Sequence, residues 1–96
     1  MLNGGTWGGR VEVDGNGAVV SAPAAAASSN HGINLVARGT NNRIFLNRFN
    51  VPIWSGWGEI PNSPTPDAPG IALLVNQLST FVRGSDNRIY VNQRNL

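Results

Sequence analysis

The chain has 96 residues, the size of one domain, and only 12% of them are charged. Cysteine is absent, which excludes disulfides and thiolate metal sites, and no apolar run approaches the roughly 20 residues of a membrane helix. The net charge of +2 comes from arginine alone, with no basic run or arginine-rich arm, so composition argues against a nucleic-acid surface.

The opening MLNGGTWGG lacks the apolar core of an export signal, so none is expected there, and the sequence leaves the compartment open. From Thr6 the chain reads TWGGRVEVDGNG. Trp7 and the alternation of Val11 and Val13 predict a strand, closed by a turn at Asp14-Gly15-Asn16-Gly17. The run Ala24 to Ala27 has helical propensity. Val19-Val20 and Pro23 before it, and the turn residues Ser28-Ser29-Asn30 after it, predict a short strand instead. APGIALLV, from Ala68, is its counterpart in the second half. His31 falls in the following turn, where a lone histidine suits neither metal nor catalysis.

One stretch is written twice. RGTNNRIFLN from Arg38 returns as RGSDNRIYVN from Arg83, an offset of 45 residues. The copies differ at Thr40/Ser85, Asn41/Asp86, Phe45/Tyr90 and Leu46/Val91. Each copy predicts a β-hairpin. GINLVAR leads into RIFLNRF, and QLSTFVR into RIYVNQR, around Gly-Thr-Asn-Asn and Gly-Ser-Asp-Asn turns that tolerate positive φ. The Asn and Asp residues read equally well as turn chemistry and as ligand contacts. Between the hairpins, Asn50 to Ile53 link to SGWGEI, whose Gly56-Trp57-Gly58 echoes Thr6-Trp7-Gly8. PNSPTPDAPG, from Pro61, reads as a proline-rich loop without regular structure.

A period of this size is that of a four-stranded propeller blade. The prediction is an all-β unit over residues 1–96 with eight strands in two blades, repeat 1 at about 5–50 and repeat 2 at about 55–96. The second blade would lack its outermost strand, and the Trp7 strand would have no blade of its own. Two blades alone leave apolar faces and strand edges open. Head-to-tail assembly, with the Trp7 strand completing a neighbour's last blade, would close a ring. We expect a homotrimer with six blades, within the four to eight typical of propellers.

SGWGEI from Ser55, APGIAL from Ala68 and STFVRGSDNRIYVN from Ser79 resemble the blade repeat of the bacterial PLL-type β-propeller lectins. ARGTNNRIFLN from Ala37 and TWGG from Thr6 carry a looser match, and together the copies cover most of the chain. Those lectins are single chains of seven blades that bind fucose and related, O-methylated sugars. In length and expected assembly, this chain looks more like the small fucose-binding lectins that build six blades from three chains. The resemblance implies a multivalent carbohydrate-binding lectin, with glycans as partners and sites in clefts between blades.

Such a site needs a flat aromatic face and fixed polar groups. The aromatic candidates are Trp7, Trp54, Trp57, Phe45 and Tyr90; the polar ones are Arg38, Arg83, Asn42, Asn87 and Asp86. Each has a plain structural alternative. The tryptophans would pack between blades, and the arginines would satisfy carbonyls or pair with Asp86. The acids Glu12, Asp14, Glu59, Asp67 and Asp86 fall in no spacing that pairs two carboxylates for glycoside hydrolysis. Phosphate loops and metal-ligand clusters are missing too, so neither an enzyme nor a metal or other cofactor is expected. The alternative function is a propeller scaffold, designed or reconstructed, without a sugar site.

Overall fold

The computed structural model describes residues 2–3, 6–13, 19–28, 31–50 and 52–96. They form ten strands and no helix. In chain order these are β1 (Leu2–Asn3), β2 (Thr6–Trp7), β3 (Ala24–Ser28), β4 (Gly32–Arg38), β5 (Arg43–Asn50), β6 (Ile53–Trp54), β7 (Gly58–Pro64), β8 (Gly70–Leu74), β9 (Gln77–Arg83) and β10 (Ile89–Asn95). The all-β prediction holds.

Turn chemistry sets both hairpins. Gly39 N donates to Arg43 O at 2.8 Å, and Asn42 N donates back to Gly39 O at 3.0 Å. Gly84, Arg88 and Asn87 repeat both bonds at the same lengths. Asn42 and Asn87 close the turns with φ of 63° and 66°. That is the left-handed region, which asparagine enters more readily than most residues, and it matches a three-residue hairpin loop. The register that follows is shared by the two copies. Arg38 lies opposite Ile44, and Arg83 opposite Ile89. At the other end of the first hairpin Gly32 has φ of 63°, and a Cβ there would sit 2.1 Å from Phe49 O. Only glycine fits.

The first sheet runs β3-β4-β5, with β6 and β7 sharing the far edge of β5. Trp54 lies opposite Phe49, and Gly58 opposite Leu46. The second sheet is β8-β9-β10, which leaves β10 at an edge. Among the described residues, β1 pairs only with β2. The alanine run is the strand predicted, because antiparallel pairing with Ile33 to Val36 overrides its helical propensity.

Two expectations need correction. The first half contains no strand at Val11 and Val13, since residues 8–13 lie outside every described ladder. The turn placed at Asp14 to Gly17 lies outside the described residues. The proline-rich loop is shorter than predicted, because Pro61 to Pro64 belong to β7. β7 is an edge strand, where a missing N–H is tolerated, and its register shifts between Arg43 and Phe45.

The two sheets pack on one another through a small apolar seam. Val36 and Ile44 of the first sheet meet Val82 of the second, with Ala24, Leu46, Ile60 and Ile71 around them. Burial of such side chains stabilises by about 1.5–3 kcal/mol each. Val82 is the repeat mate of Ala37, which points away from Val36 on β4. The sheets therefore meet with opposite faces, front against back. Polar bonds stitch the seam. Asn92 Nδ2 donates to Pro61 O at 2.7 Å, Thr65 N to Asn42 O at 2.9 Å, and Thr65 Oγ1 to Arg83 O at 2.7 Å. At the other end, the repeat mates His31 and Asn76 are bonded, Nε2 to Oδ1, at 2.9 Å.

We expect Ile44→Ala to cost about 2–5 kcal/mol of unfolding free energy in urea titration, since its side chain is fully buried in the seam. Gly32→Ala should be comparably harmful through the carbonyl clash, whereas Gly8→Ala, with open space around its Cβ, should be near neutral.

Candidate functional site

Where the two sheets diverge near the hairpin turns, a cleft of about 740 Å³ opens. Asn42 and the Pro64-Thr65-Pro66 segment line it from the first sheet's side; Asp86 and Tyr90 line it from the second. The segment after β7 and the hairpin turns thus share one end of the seam.

Tyr90 is positioned by glycine. A Cβ on Gly84 would lie 2.7 Å from Tyr90 Cε1, and the same distance separates a Cβ on Gly39 from Phe45 Cε1. In both hairpins the ring therefore lies across the glycine that opens the turn. On the second sheet, half of Tyr90 stays exposed in the cleft. Its hydroxyl donates to Asp86 Oδ2 at 2.6 Å, and Arg88 N donates to Asp86 Oδ1 at 3.1 Å. Thr65 is buried behind them with its hydroxyl committed to Arg83 O.

The Asp86–Tyr90 pair perturbs both groups. The Tyr90 hydroxyl first, and the Arg88 amide second, hold the Asp86 carboxyl below its ordinary 3.8. The same hydrogen bond, helped by the carboxylate's charge, pushes the Tyr90 phenol above its ordinary 10.0. A depressed carboxylate contributes stability above its unfolded value, which is lost as pH falls through the lower folded one. A raised phenol contributes stability below its unfolded value, which is lost as pH rises through the higher folded one. The bond is therefore intact between about pH 4 and pH 10.

The remaining candidates are used elsewhere. Arg38 bonds Asn42 Oδ1, and Arg83 bonds Asn87 Oδ1, so each arginine braces the left-handed residue of its own turn. Arg83 Nε also donates to Asp67 Oδ2 at 2.5 Å, and this bond first of all keeps the Asp67 carboxyl below its usual range. Asp67, rather than Asp86, is the arginine's acidic partner. Asn41 Oδ1 accepts from Arg43 N at 3.1 Å, which is turn chemistry. Trp54 packs on Phe49, with centroids 4.9 Å apart. Trp57 is half-buried between two glycines, Gly56 and Gly58, that border a second cleft of about 540 Å³. The side chain of Trp7 lies outside the described residues. The structure therefore gathers Asn42, Asp86 and Tyr90 in one cleft and leaves Phe45, Trp54, Trp57, Arg38, Arg83 and Asn87 out of its lining.

Sequence reasoning missed Thr65, Ser85 and Asn92 in the lining. Ser85 and Asn92 lie inside the repeated stretch, so their nearness to Asp86 and Tyr90 was readable. Thr65 sits in the proline-rich segment, and only the tertiary fold brings it across. Among the described residues, no group of His, Asp or Glu is arranged to hold a metal. Comparison with protein-family models, curated proteins and solved structures finds no match to this chain.

The chain has one tyrosine, so phenolate absorbance reads Tyr90 directly. We expect its titration midpoint above 10.0, moving back toward that value in Asp86→Asn. An unshifted wild-type midpoint would dissolve the pair.

Proposed function

We propose that this chain is a carbohydrate-binding lectin, its two sheets acting as propeller blades and the cleft between them taking a neutral monosaccharide. The observation that carries the reading is the pairing, in one cleft, of a half-exposed aromatic ring with fixed hydrogen-bonding groups. A sugar has an apolar C–H face and a set of hydroxyls, and it needs both. Tyr90, flanked by Pro64 and Pro66, offers the apolar surface. Asp86 accepts hydroxyl protons, while Asn42, Asn92 and Ser85 offer further donors and acceptors.

The cleft volume falls within the range of about 300–1,000 Å³ usual for small-ligand sites. The Asp86 carboxylate disfavours anionic sugars, so fucose or a related O-methylated sugar, the class implied by the sequence resemblance, is the first probe. Ring contact and hydrogen bonds bind such ligands without bond cleavage, and Asp86 is the one carboxylate lining the cleft among the described residues. A second acid, needed for glycoside hydrolysis, is missing there.

Calorimetric titration with fucose and its O-methyl derivatives, together with a glycan array, tests this. We expect Tyr90→Ala and Asp86→Ala each to weaken binding by about tenfold or more, equivalent to roughly 1.4 kcal/mol. Trp54→Ala, whose ring is engaged with Phe49, should leave affinity near wild type. Wild-type protein that retains no glycan would favour the scaffold reading. Binding unaffected by Tyr90→Ala would move the site elsewhere.

A further inference from the structure

We propose that the second cleft, of about 540 Å³, binds an oxyanion carried on a small ring, with an acidic sugar as the chemical class. The proposal does not depend on what the first cleft takes.

The two clefts share one seam and one wall. Asn92 lines both, and its Nδ2 donates to Pro61 O across the gap between the sheets. On the hairpin-turn side of that bond lies the Asp86 carboxylate, with no arginine in the lining. On the other side lie Arg48 of β5 and Arg94 of β10, one from each sheet. The carboxylate in this second lining, Glu59, already accepts from Arg43 Nη1 at 3.0 Å. Arg43 stands outside the lining, so it balances Glu59 and leaves the cleft's own arginines unmatched. Among the described residues, neither Arg48 nor Arg94 makes an ion pair.

Arg48 carries the argument. It follows Ile44 and Leu46 along the front of β5, so its stem runs along the seam and the residue is half-buried. Its Nε is buried with no hydrogen-bond partner. Burying a charged donor unpaired costs free energy, and an oxyanion in the cleft would offset it. Arg94 faces it from the second sheet, where it lies opposite Leu78 on β9.

The repeat shows that these charges belong to this cleft in particular. The other hairpin arginines come in matched pairs, Arg38 with Arg83 and Arg43 with Arg88. Arg48 has Gln93 as its mate, and Arg94 has Phe49. Two places where the repeats differ in charge thus meet across one cleft, from opposite walls.

The rest of the lining suits a ring. Leu46, Ile60 and Leu78 give an apolar floor for a C–H face. Gly58 leaves the rim open, since nothing lies within 4 Å of where its Cβ would be. A guanidinium meets a carboxylate or a sulfate ester through two parallel N–H bonds. A uronic acid joins such a group to an apolar ring face, and glucuronate is the probe.

Calorimetric titration of the whole chain with sodium glucuronate tests this, with glucose, inorganic sulfate and inorganic phosphate beside it. Glucuronate should bind at least tenfold more tightly than glucose, and more weakly as salt is raised. Sulfate or phosphate binding at the same arginines would support an oxyanion of either shape; their failure beside glucuronate would support the carboxylate alone. Arg48→Gln, which installs the repeat's own side chain, and Arg94→Gln should each weaken glucuronate tenfold or more. Gly58→Leu should do the same by filling the rim. Arg94 is exposed, so its variant keeps the test decisive should Arg48→Gln fail to fold by circular dichroism. Arg10→Gln, an exposed arginine outside both linings, should leave affinity unchanged. Amide shifts in NMR spectra should centre on Gly58, Thr80 and Arg94. Shifts centred on Ser85 and Asp86 would place the anion in the first cleft and overturn the proposal. Glucuronate that binds no better than glucose, or that loses as much from Arg10→Gln as from Arg94→Gln, would overturn it equally.

Discussion

The structure depends on one narrow contact, the apolar seam where Val36 and Ile44 of the first sheet meet Val82 of the second. Among the described residues, neither sheet has a helix or a further layer to cover it, so this contact is the chief hydrophobic support described for each. Its geometry is asymmetric. The first sheet contributes the β4 residues on one side of the strand, and the second contributes the β9 residues on the other. A chain built from two like repeats can stack in that manner only with both sheets facing the same way. Everything at the margins follows from this orientation. The hairpin turns lie at one end of the seam, the β3–β4 and β8–β9 turns lie at the other, and the cleft opens where the sheets part.

The polar groups around the seam have divided roles. Arg38 and Arg83 are committed to turns and stabilise asparagines held at positive φ. Thr65 closes the gap between sheets by bonding to the backbone of both, at Asn42 and Arg83. This leaves the Asp86–Tyr90 pair as the group placed in the cleft with room in front of it. Asn41 and Phe45 hold the matching places on the first sheet, where there is neither a carboxylate nor a phenol. The two halves share a fold but differ in chemistry at the one place where a ligand would notice.

Much of the fold was legible because it is local. Alternation, turn residues and the repeated decapeptide place β4, β5, β9 and β10, and the flanking turn signals rescue the alanine strand from its helical propensity. Residues 8–13 were misread because alternation shows only that a segment can pair, and these residues join no described ladder. The prolines of β7 were misread because proline punctuates a sequence regardless of whether its missing N–H faces a partner or solvent. Among site residues, Asn42, Asp86 and Tyr90 were legible as the polar and aromatic letters of a repeated turn. Thr65 was not, since it reaches the cleft from a segment about twenty residues before its neighbours. The tryptophans attracted attention for their chemistry, yet Trp54 is occupied by Phe49, a contact that follows from the register of β5 on β6.

The hydrogen bond between His31 and Asn76 makes the two repeats distinguishable. These are equivalent positions in the two repeats, and in a perfect duplication they would be the same residue. Two asparagines could still bond, but a histidine facing an asparagine distinguishes the leading repeat from the trailing one. The contact therefore marks the order of the repeats by a complementary pair rather than a repeated residue. A drift back toward identity at these sites would erase a mark of order between the repeats while leaving the strands of each intact.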